Sequence, residues 1–369
     1  MTTFATPDGT NKYTARFVGR AAAGHFREQQ SLQLSSLGIG TYLGEPDART
    51  DQAYSAAIVQ AVESGANVID SAINYRFQRS ERSVRAALAE LARRGYAREE
   101  MVVCTKGGFL TPDGDMPADA SEYFNREYVE TGLLQEGDVA AGCHSMAPKF
   151  IADQLDRSRR NLGVETIDVY YLHNPETQLG EVPREMFNAR MRAAFEFLES
   201  AVAAAKIQFY GMATWNAFRQ TENARDFLSL AAIESLARDV AGGSHRFRFV
   251  QLPCNLGMTE ALTRANQAFD GRQVPMVEVA SKLGITLIAS AALLQGQLSR
   301  GLPPFVMSAL GMKTDADRAL QFVRSTPGIA TALIGMSRVE HVRANLSLAG
   351  VAPASQEQFS KLFQRGENV

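Results

Sequence analysis

Three cysteines, Cys104, Cys143 and Cys254, are all that 369 residues hold. So sparse and odd a set, without metal-ligand spacing, excludes a disulfide framework and a zinc module. It suits a reducing compartment, with each thiol a small buried hydrophobe. Long apolar runs are missing as well. Stretches such as 287–294 fall well short of the roughly 20 residues a membrane span requires, which excludes a membrane-spanning helix. The segment from Met1 to Phe26 spreads Asp8, Lys12, Arg16 and Arg20 through polar residues and builds no apolar secretory core, so the expected address is the cytoplasm. The net charge of -2 supplies no basic field for phosphate polymers. No stretch pairs clustered Lys or Arg with aromatics, and nucleic acid is not an expected partner. No repeat or low-complexity tract occurs, which excludes a solenoid. No Gly-x-Gly-x-x-Gly follows the first apolar strand, which argues against a Rossmann dinucleotide domain.

What is present is ordinary in bulk, 45% hydrophobic and 21% charged, as a globule with a large core requires. Strand-like runs fall at 37–42, 67–70, 101–105, 167–172, 207–213, 248–252, 285–289 and 331–334. Helical segments follow each of them, at 50–64, 80–94, 148–162, 186–205, 220–240, 273–283, 315–325 and 338–348. Gly65, Gly95, Gly163 and Gly284 stand near helix ends as stops. Eight alternations of strand and helix predict an α/β fold, a (β/α)8 TIM barrel with long loops at the C-terminal face of the strands. Such barrels run past about 250 residues as one unit, so residues 1–369 are read as a single domain with an N-terminal extension over 1–30. Three connections exceed plain strand-to-helix turns: 107–147, 176–185 and 291–314. Loops of that length are usually lids or binding loops. The first carries Phe109, Tyr123, Phe124, Tyr128 and His144, aromatics expected to fold over a substrate.

Strand ends carry the chemistry. The second run ends in Asp70 with a phenol, Tyr75, five positions on; the third ends in Lys106 and the fourth in His173. Taken singly, Asp70 reads as a helix cap, Tyr75 as a rim aromatic and His173 as a hydrogen-bonded core imidazole. A lysine continuing Met-Val-Val-Cys-Thr is different, because lysines are almost never buried without a partner. At the ends of strands two, three and four the four residues are neighbours across one barrel mouth. There Lys106 is expected to lower the phenol from its usual value of about 10, and Asp70 to keep the lysine charged.

The order Asp70, Tyr75, Lys106, His173, within Asp-Ser-Ala-Ile-Asn-Tyr and Tyr-Leu-His-Asn-Pro, resembles the aldo-keto reductase superfamily, and motifs from about Leu37 to Leu346 match it in order. The resemblance implies an NAD(P)H-dependent oxidoreductase that reduces an aldehyde or ketone, or runs the reverse. Hydride would come from the nicotinamide and the proton from Tyr75, while His173 polarises the carbonyl oxygen.

It also implies a cofactor lying across the mouth against the ends of strands one, five, six and seven. Gly40, Thr41 and Tyr42 match the first of these, Asp70 adjoins them, and Gln251 matches the glutamine that meets the carboxamide. The family's Gly-x-Ser-Asn-Phe stands here as Gly211-Met212-Ala213-Thr214-Trp215, so only Thr214 of the usual pair can hydrogen-bond. Tyr-Ser-Pro-Leu is replaced by Ser290-Ala291-Ala292-Leu293. Ring stacking at Ser290 is lost, with Trp215 as the aromatic that could compensate. Gln295 and Gly296 keep the pyrophosphate-loop feature, and Gly335, Ser337, Arg338, His341 and Asn345 resemble the phosphate-binding end of strand eight. An arginine beside a helix start favours a phosphate, hence NADP (NADPH) over NAD. Two other readings stay open: a Schiff-base lyase using Lys106 as nucleophile, and a nucleotide-binding regulatory subunit without turnover. Substrate identity and oligomeric state are not encoded legibly.

Overall fold

The computed structural model describes residues 4–364. Eight parallel strands close into one barrel in chain order: β1 (Leu37–Gly40), β2 (Val68–Asp70), β3 (Val102–Gly107), β4 (Ile167–His173), β5 (Ile207–Ala213), β6 (Phe247–Pro253), β7 (Thr286–Ser290) and β8 (Ile329–Gly335), with β8 paired back onto β1. Around them run α1 (Ala48–Glu63), α2 (Arg79–Arg93), α3 (Pro148–Leu162), α4 (Arg184–Ala203), α5 (Leu230–Ala241), α6 (Met276–Leu283), α7 (Asp315–Ser325) and α8 (Val339–Leu346). This is the (β/α)8 fold the alternation predicts.

The period of two within each strand sorts the side chains. Val68, Val102, Cys104, Val169, Tyr171, Phe209, Phe249 and Ile288 fill the barrel interior. Their neighbours Ile69, Val103, Tyr170, Leu172, Tyr210, Met212, Val250 and Leu287 face the helices. Gly211 supplies the room the interior needs, since a Cβ there would lie 2.0 Å from the Phe249 carbonyl oxygen and 3.1 Å from the Tyr171 ring. Two residues beyond Val68, Cys104, Tyr171 and Phe249 come Asp70, Lys106, His173 and Gln251. Alternation therefore turns these four inward as the uppermost interior layer.

The lower end is closed by residues the sequence reading treats as an extension. A helix over Pro7–Ala15 and an antiparallel hairpin, Phe26–Gln29 with Leu32–Ser35, lie beneath the barrel, and Ala5, Leu32 and Leu34 join the interior core. Asp168 of β4 ties this base together. It is fully buried and accepts from the backbone N–H of Ala5 (2.7 Å) and Val103 (2.7 Å), from Gln208 Nε2 (2.6 Å) and from Arg98 Nη2 (2.6 Å).

Three sequence expectations are corrected. The helix expected over 220–240 begins only at Leu230, because Ser229 caps it by accepting from the Ala232 N–H and the preceding polar residues form turns. The helix expected over 273–283 starts at Met276, since Arg272–Pro275 pairs with Ala265–Phe269 across Asp270-Gly271, a tight hairpin turn. Cys104 and Cys254 are buried, but Cys143 is only half-buried. Among the described residues no helix is long and apolar enough to cross a membrane.

Asp168→Ala is expected to lower the unfolding free energy by about 3–5 kcal/mol, because it leaves Arg98 and three other donors without their acceptor. Urea unfolding followed by circular dichroism checks this; a midpoint unchanged from wild type would refute the base-closing role.

Candidate active site

The uppermost interior layer is joined by short bonds. Lys106 Nζ lies 2.6 Å from Asp70 Oδ2 and donates to the Ser71 carbonyl at 2.7 Å, while Gln251 Nε2 donates to Asp70 Oδ1 at 2.8 Å. Lys106 and Asp70 are buried. Tyr75 covers them, with Lys106 Nζ 4.8 Å from its ring centre, and the His173 ring stands edge-on at 5.8 Å from the same phenol. Asp70, Tyr75, Lys106 and His173 are thus brought to one mouth, as their strand-end positions predict.

Electrostatics refine that picture. Burial alone would pull the Lys106 ammonium down, yet Asp70 and Tyr75 together hold it above its ordinary value, so it is a cation at neutral pH. Burial lifts the Asp70 carboxyl, and Lys106 and Gln251 pull it back. For Tyr75 the sequence expectation is corrected: burial raises the phenol and outweighs the opposing pull of Lys106. Because Tyr75 is only half-buried, water in the mouth tempers that rise. The phenol is consequently protonated at neutral pH, the state a proton donor requires. Burial, then Lys106 and His144, push the His173 imidazole well below its usual value, so it is neutral. Its Nδ1 is buried without a partner. A protonated phenol over an ammonium, beside a neutral imidazole, can donate a proton to an oxygen that gains charge at the mouth.

Tyr75 is held by an unusual turn. Arg76, Phe77 and Gln78 have φ of 48°, 55° and 69°, three successive left-handed residues without a glycine. Each costs about 1–2 kcal/mol, so the surroundings must impose the turn. Arg76 does so: its buried guanidinium reaches Asp51 Oδ1 (2.7 Å), Ser80 Oγ (3.1 Å) and Ser83 Oγ (2.9 Å) and covers the Tyr54 ring.

The long loop over 107–147 meets the site differently from the sequence expectation. Phe109 packs 5.1 Å from the His173 ring and 5.0 Å from the His144 ring, and His144 Nε2 donates to the His173 carbonyl at 2.8 Å. Gly108, at φ +140°, permits this approach, because a Cβ there would stand 2.8 Å from His144 Nε2. Tyr128 instead turns into the core against Phe150, with its hydroxyl on the Thr111 carbonyl, and Tyr123 and Phe124 pack beside it or each other, away from His173. Two of the five loop aromatics therefore face the site.

Residues matched to cofactor binding divide into two groups. Near the ion pair, Tyr42 is exposed with its ring 4.9 Å from Tyr75, and Thr41 Oγ1 is buried and bonded to the Asp70 carbonyl and Ser71 Oγ. Thr214 donates its backbone N–H to the Gln251 carbonyl, but its Oγ1 is buried without a partner. Ser290 ends β7, and Leu293 and Gln295 lie in the irregular segment after it, Gln295 at φ 54°. The second group sits at the β8 end: Gly40 pairs with Gly335, Ser337 is half-buried, and Arg338 and His341 are exposed at the start of α8. Asn345 is turned inward, its Nδ2 3.3 Å from Met336 Sδ.

One residue escaped the sequence reading. Glu176, three positions beyond His173, is buried and accepts from the backbone N–H of Trp215 (2.7 Å) and Asn216 (3.1 Å). Burial pushes its carboxyl up to about 7. An acidic residue straight after His-Asn-Pro at a strand end was the available signal.

The aldo/keto reductase family model matches residues 36–303. An uncharacterized oxidoreductase of Schizosaccharomyces pombe is 22% identical over 325 residues, 87% of this chain and 82% of that one. Among solved structures, an aldo-keto reductase from Bacillus halodurans in its holo form superposes with a TM-score of 0.62 at 17% identity, covering 92% of this chain and 95% of that one. The glycerol dehydrogenase of Gluconobacter oxydans gives 0.63 at 18%, covering 92% and 94%. An aldo/keto reductase from Klebsiella pneumoniae in complex with NADP and acetate gives 0.60 at 20%, covering 94% and 98%.

The Glu176 shift has a signed consequence for stability. Its folded value of about 7 exceeds the ordinary 4.5, so folding favours the protonated form, and that stability is full below 4.5 and lost as pH rises through about 7. Relative to Glu176→Gln, wild-type stability is expected to fall by up to about 3 kcal/mol between pH 5 and pH 8. Paired urea titrations at the two pH values measure it, and parallel behaviour of the two proteins would contradict the shift.

Proposed function

Since this chain belongs to the aldo/keto reductase family, we propose that it reduces an aldehyde or ketone to an alcohol, or runs the reverse, with NADPH as hydride donor and Tyr75 as proton donor. The observation that carries this reading is the Lys106–Asp70 ion pair, 2.6 Å long and buried beneath the Tyr75 phenol beside a neutral His173. The substrate oxygen is held between the Tyr75 hydroxyl and the His173 imidazole. As negative charge develops on that oxygen, Tyr75 transfers its proton, and the adjacent ammonium stabilises the phenolate left behind. Asp70 keeps Lys106 charged and aimed. Water reprotonates Tyr75 after the alcohol leaves.

When bound, the nicotinamide supplies the hydride, which none of these side chains can carry. The residues present fit such a group: Thr214 Oγ1 is a buried hydroxyl with no partner, suited to a carboxamide beside Gln251. Gly40, Thr41, Tyr42, Ser290, Leu293 and Gln295 would line its path. Gly335, Ser337, Arg338 and His341 would take the 2′-phosphate at the α8 start, with Asn345, turned inward onto Met336 Sδ, behind them. The NADP and NADPH complexes of the Klebsiella pneumoniae enzymes support NADPH over NADH. A cytoplasmic address fits the three free thiols. The lyase alternative is disfavoured, because an amine nucleophile needs a lowered value and Lys106 is raised.

Tyr75→Phe is expected to lower kcat for carbonyl reduction by about 100-fold or more at neutral pH while NADPH affinity is kept. Nucleotide absorbance across an aldehyde and ketone panel reads the first and fluorescence titration the second; near-full turnover by the variant defeats the assigned role. A wild type that binds NADPH tightly yet oxidises it with no carbonyl in the panel would instead be a nucleotide-binding subunit. Arg338→Ala is expected to raise KM for NADPH about tenfold and leave KM for NADH within about twofold. Equal changes for both nucleotides would remove Arg338 from the phosphate site.

A further inference from the structure

Glu176 is a buried carboxylate whose partners are backbone N–H groups rather than a cation. Its Oε1 accepts from the backbone N–H of Trp215 and Asn216, and Oε2 is buried without a partner. Burying an acid without a neutralising charge is costly, and the hydrogen bonds this carboxylate accepts come from one short segment. That segment is tied to the ion pair. Thr214 donates its N–H to the Gln251 carbonyl at 2.9 Å, Gln251 Nε2 donates to Asp70 at 2.8 Å, and Asp70 meets Lys106 at 2.6 Å. On the other side the Asn174 N–H donates to the Ala213 carbonyl at 2.6 Å, which joins the β4 and β5 ends directly. Trp215 projects from the held segment with 44% of its surface exposed. The unpartnered Thr214 hydroxyl immediately precedes it.

We propose that Glu176 is a positioning residue for the nicotinamide end of the cofactor: by fixing the backbone of 215–216 it sets Thr214 Oγ1 and the Trp215 indole as a preformed wall for the ring. The inference rests on the NADPH reading above. It assigns to one acid the task of ordering a segment from which the usual amide partner is missing, since Ala213 cannot hydrogen-bond through its side chain. A glutamine can still accept through Oε1, but places a buried NH2 where Oε2 has no acceptor. It is expected to rescue in part.

Trp215 is the single tryptophan of the chain, so its emission reports on this segment alone. The full-length chain is titrated with NADPH while Trp215 quenching is followed. E176A is expected to raise the Kd for NADPH about tenfold and to shift the free-protein emission to the red, with E176Q within about threefold of wild type. Should E176A fail to fold, E176D retracts the carboxylate by one methylene and is expected to give the same red shift with at least about threefold weaker binding. E176A or E176D with wild-type Kd and unshifted emission overturns the proposal. A wild type that does not bind NADPH overturns the cofactor reading itself, and the two failures are told apart by that first titration.

Discussion

An ammonium buried at the top of a closed apolar barrel cannot stand alone, and the upper part of this molecule is arranged around that constraint. Lys106 is inward because alternation along β3 places it two residues beyond Cys104. Once there, it requires the Asp70 carboxylate, and Asp70 in turn takes Gln251 as a second donor. Each partner comes from a different strand, so the ion pair also fixes the relative height of β2, β3 and β6. Its effect on Tyr75 runs against burial: the phenol remains protonated, and the ammonium offsets part of the upward push. Replacing the pair by apolar residues would stabilise many cores. Here it would remove the one charge able to stabilise a phenolate.

The base and the mouth of the barrel differ in how their carboxylates are satisfied. At the base, Asp168 is saturated by four donors and the N-terminal hairpin seals the interior. At the mouth the polar atoms left without partners include His173 Nδ1, Thr214 Oγ1 and Glu176 Oε2, and the turn after Tyr75 runs through three left-handed residues held by Arg76. Buried polar atoms without partners and left-handed residues occur elsewhere too, Arg98 Nε and Gln30 at the base among them, but those at the mouth stand beside the ion pair, where a ligand could complete them.

Much of this arrangement was legible in the residues. Strand ends at Asp70, Lys106 and His173 followed from short apolar runs terminating in charge, and a period of two is enough to turn all three inward. The eight-fold alternation was equally readable, because each strand is nearly continuous in apolar residues and each helix is not. What could not be read depended on contacts remote in sequence. The base-closing role of 4–35 appears only when Leu32 and Leu34 meet the interior layer of other strands. Tyr128 belongs to the core, not the mouth, because Phe150 lies behind it, 22 positions away in sequence but adjacent in space. The sign of the Tyr75 shift was missed for the same reason: a sequence places Lys106 nearby but does not weigh burial against it. Glu176 was readable as an acidic residue after a strand, but not as a cap for the segment after β5.

The departures of this chain from the family pattern flank β6 at the mouth, one on each side. Ser290 removes a ring from the β7 side, and Ala213 removes a side-chain hydrogen bond from the β5 side. On the β5 side the loss is accompanied by features that act together: Thr214 Oγ1 is free to bond, the exposed indole of Trp215 stands next to it, and the Glu176 carboxylate holds the intervening backbone. On the β7 side Ala291, Leu294 and Gln295 take left-handed conformations, with the Asn255 amide donating to the Ala291 carbonyl, and no aromatic follows Ser290 before the helix at Pro304. An aromatic face lost from the β7 side can be replaced from the β5 side, where Trp215 follows backbone held by Glu176. A ring held from β5 and β6, as proposed, would stay beside Gln251, which is bonded to the same Asp70 that fixes Lys106. The proposed cofactor side and proton-donor side of the mouth thus meet at one carboxylate, and Ala213 and Ser290 lie outside the ion pair beneath the phenol.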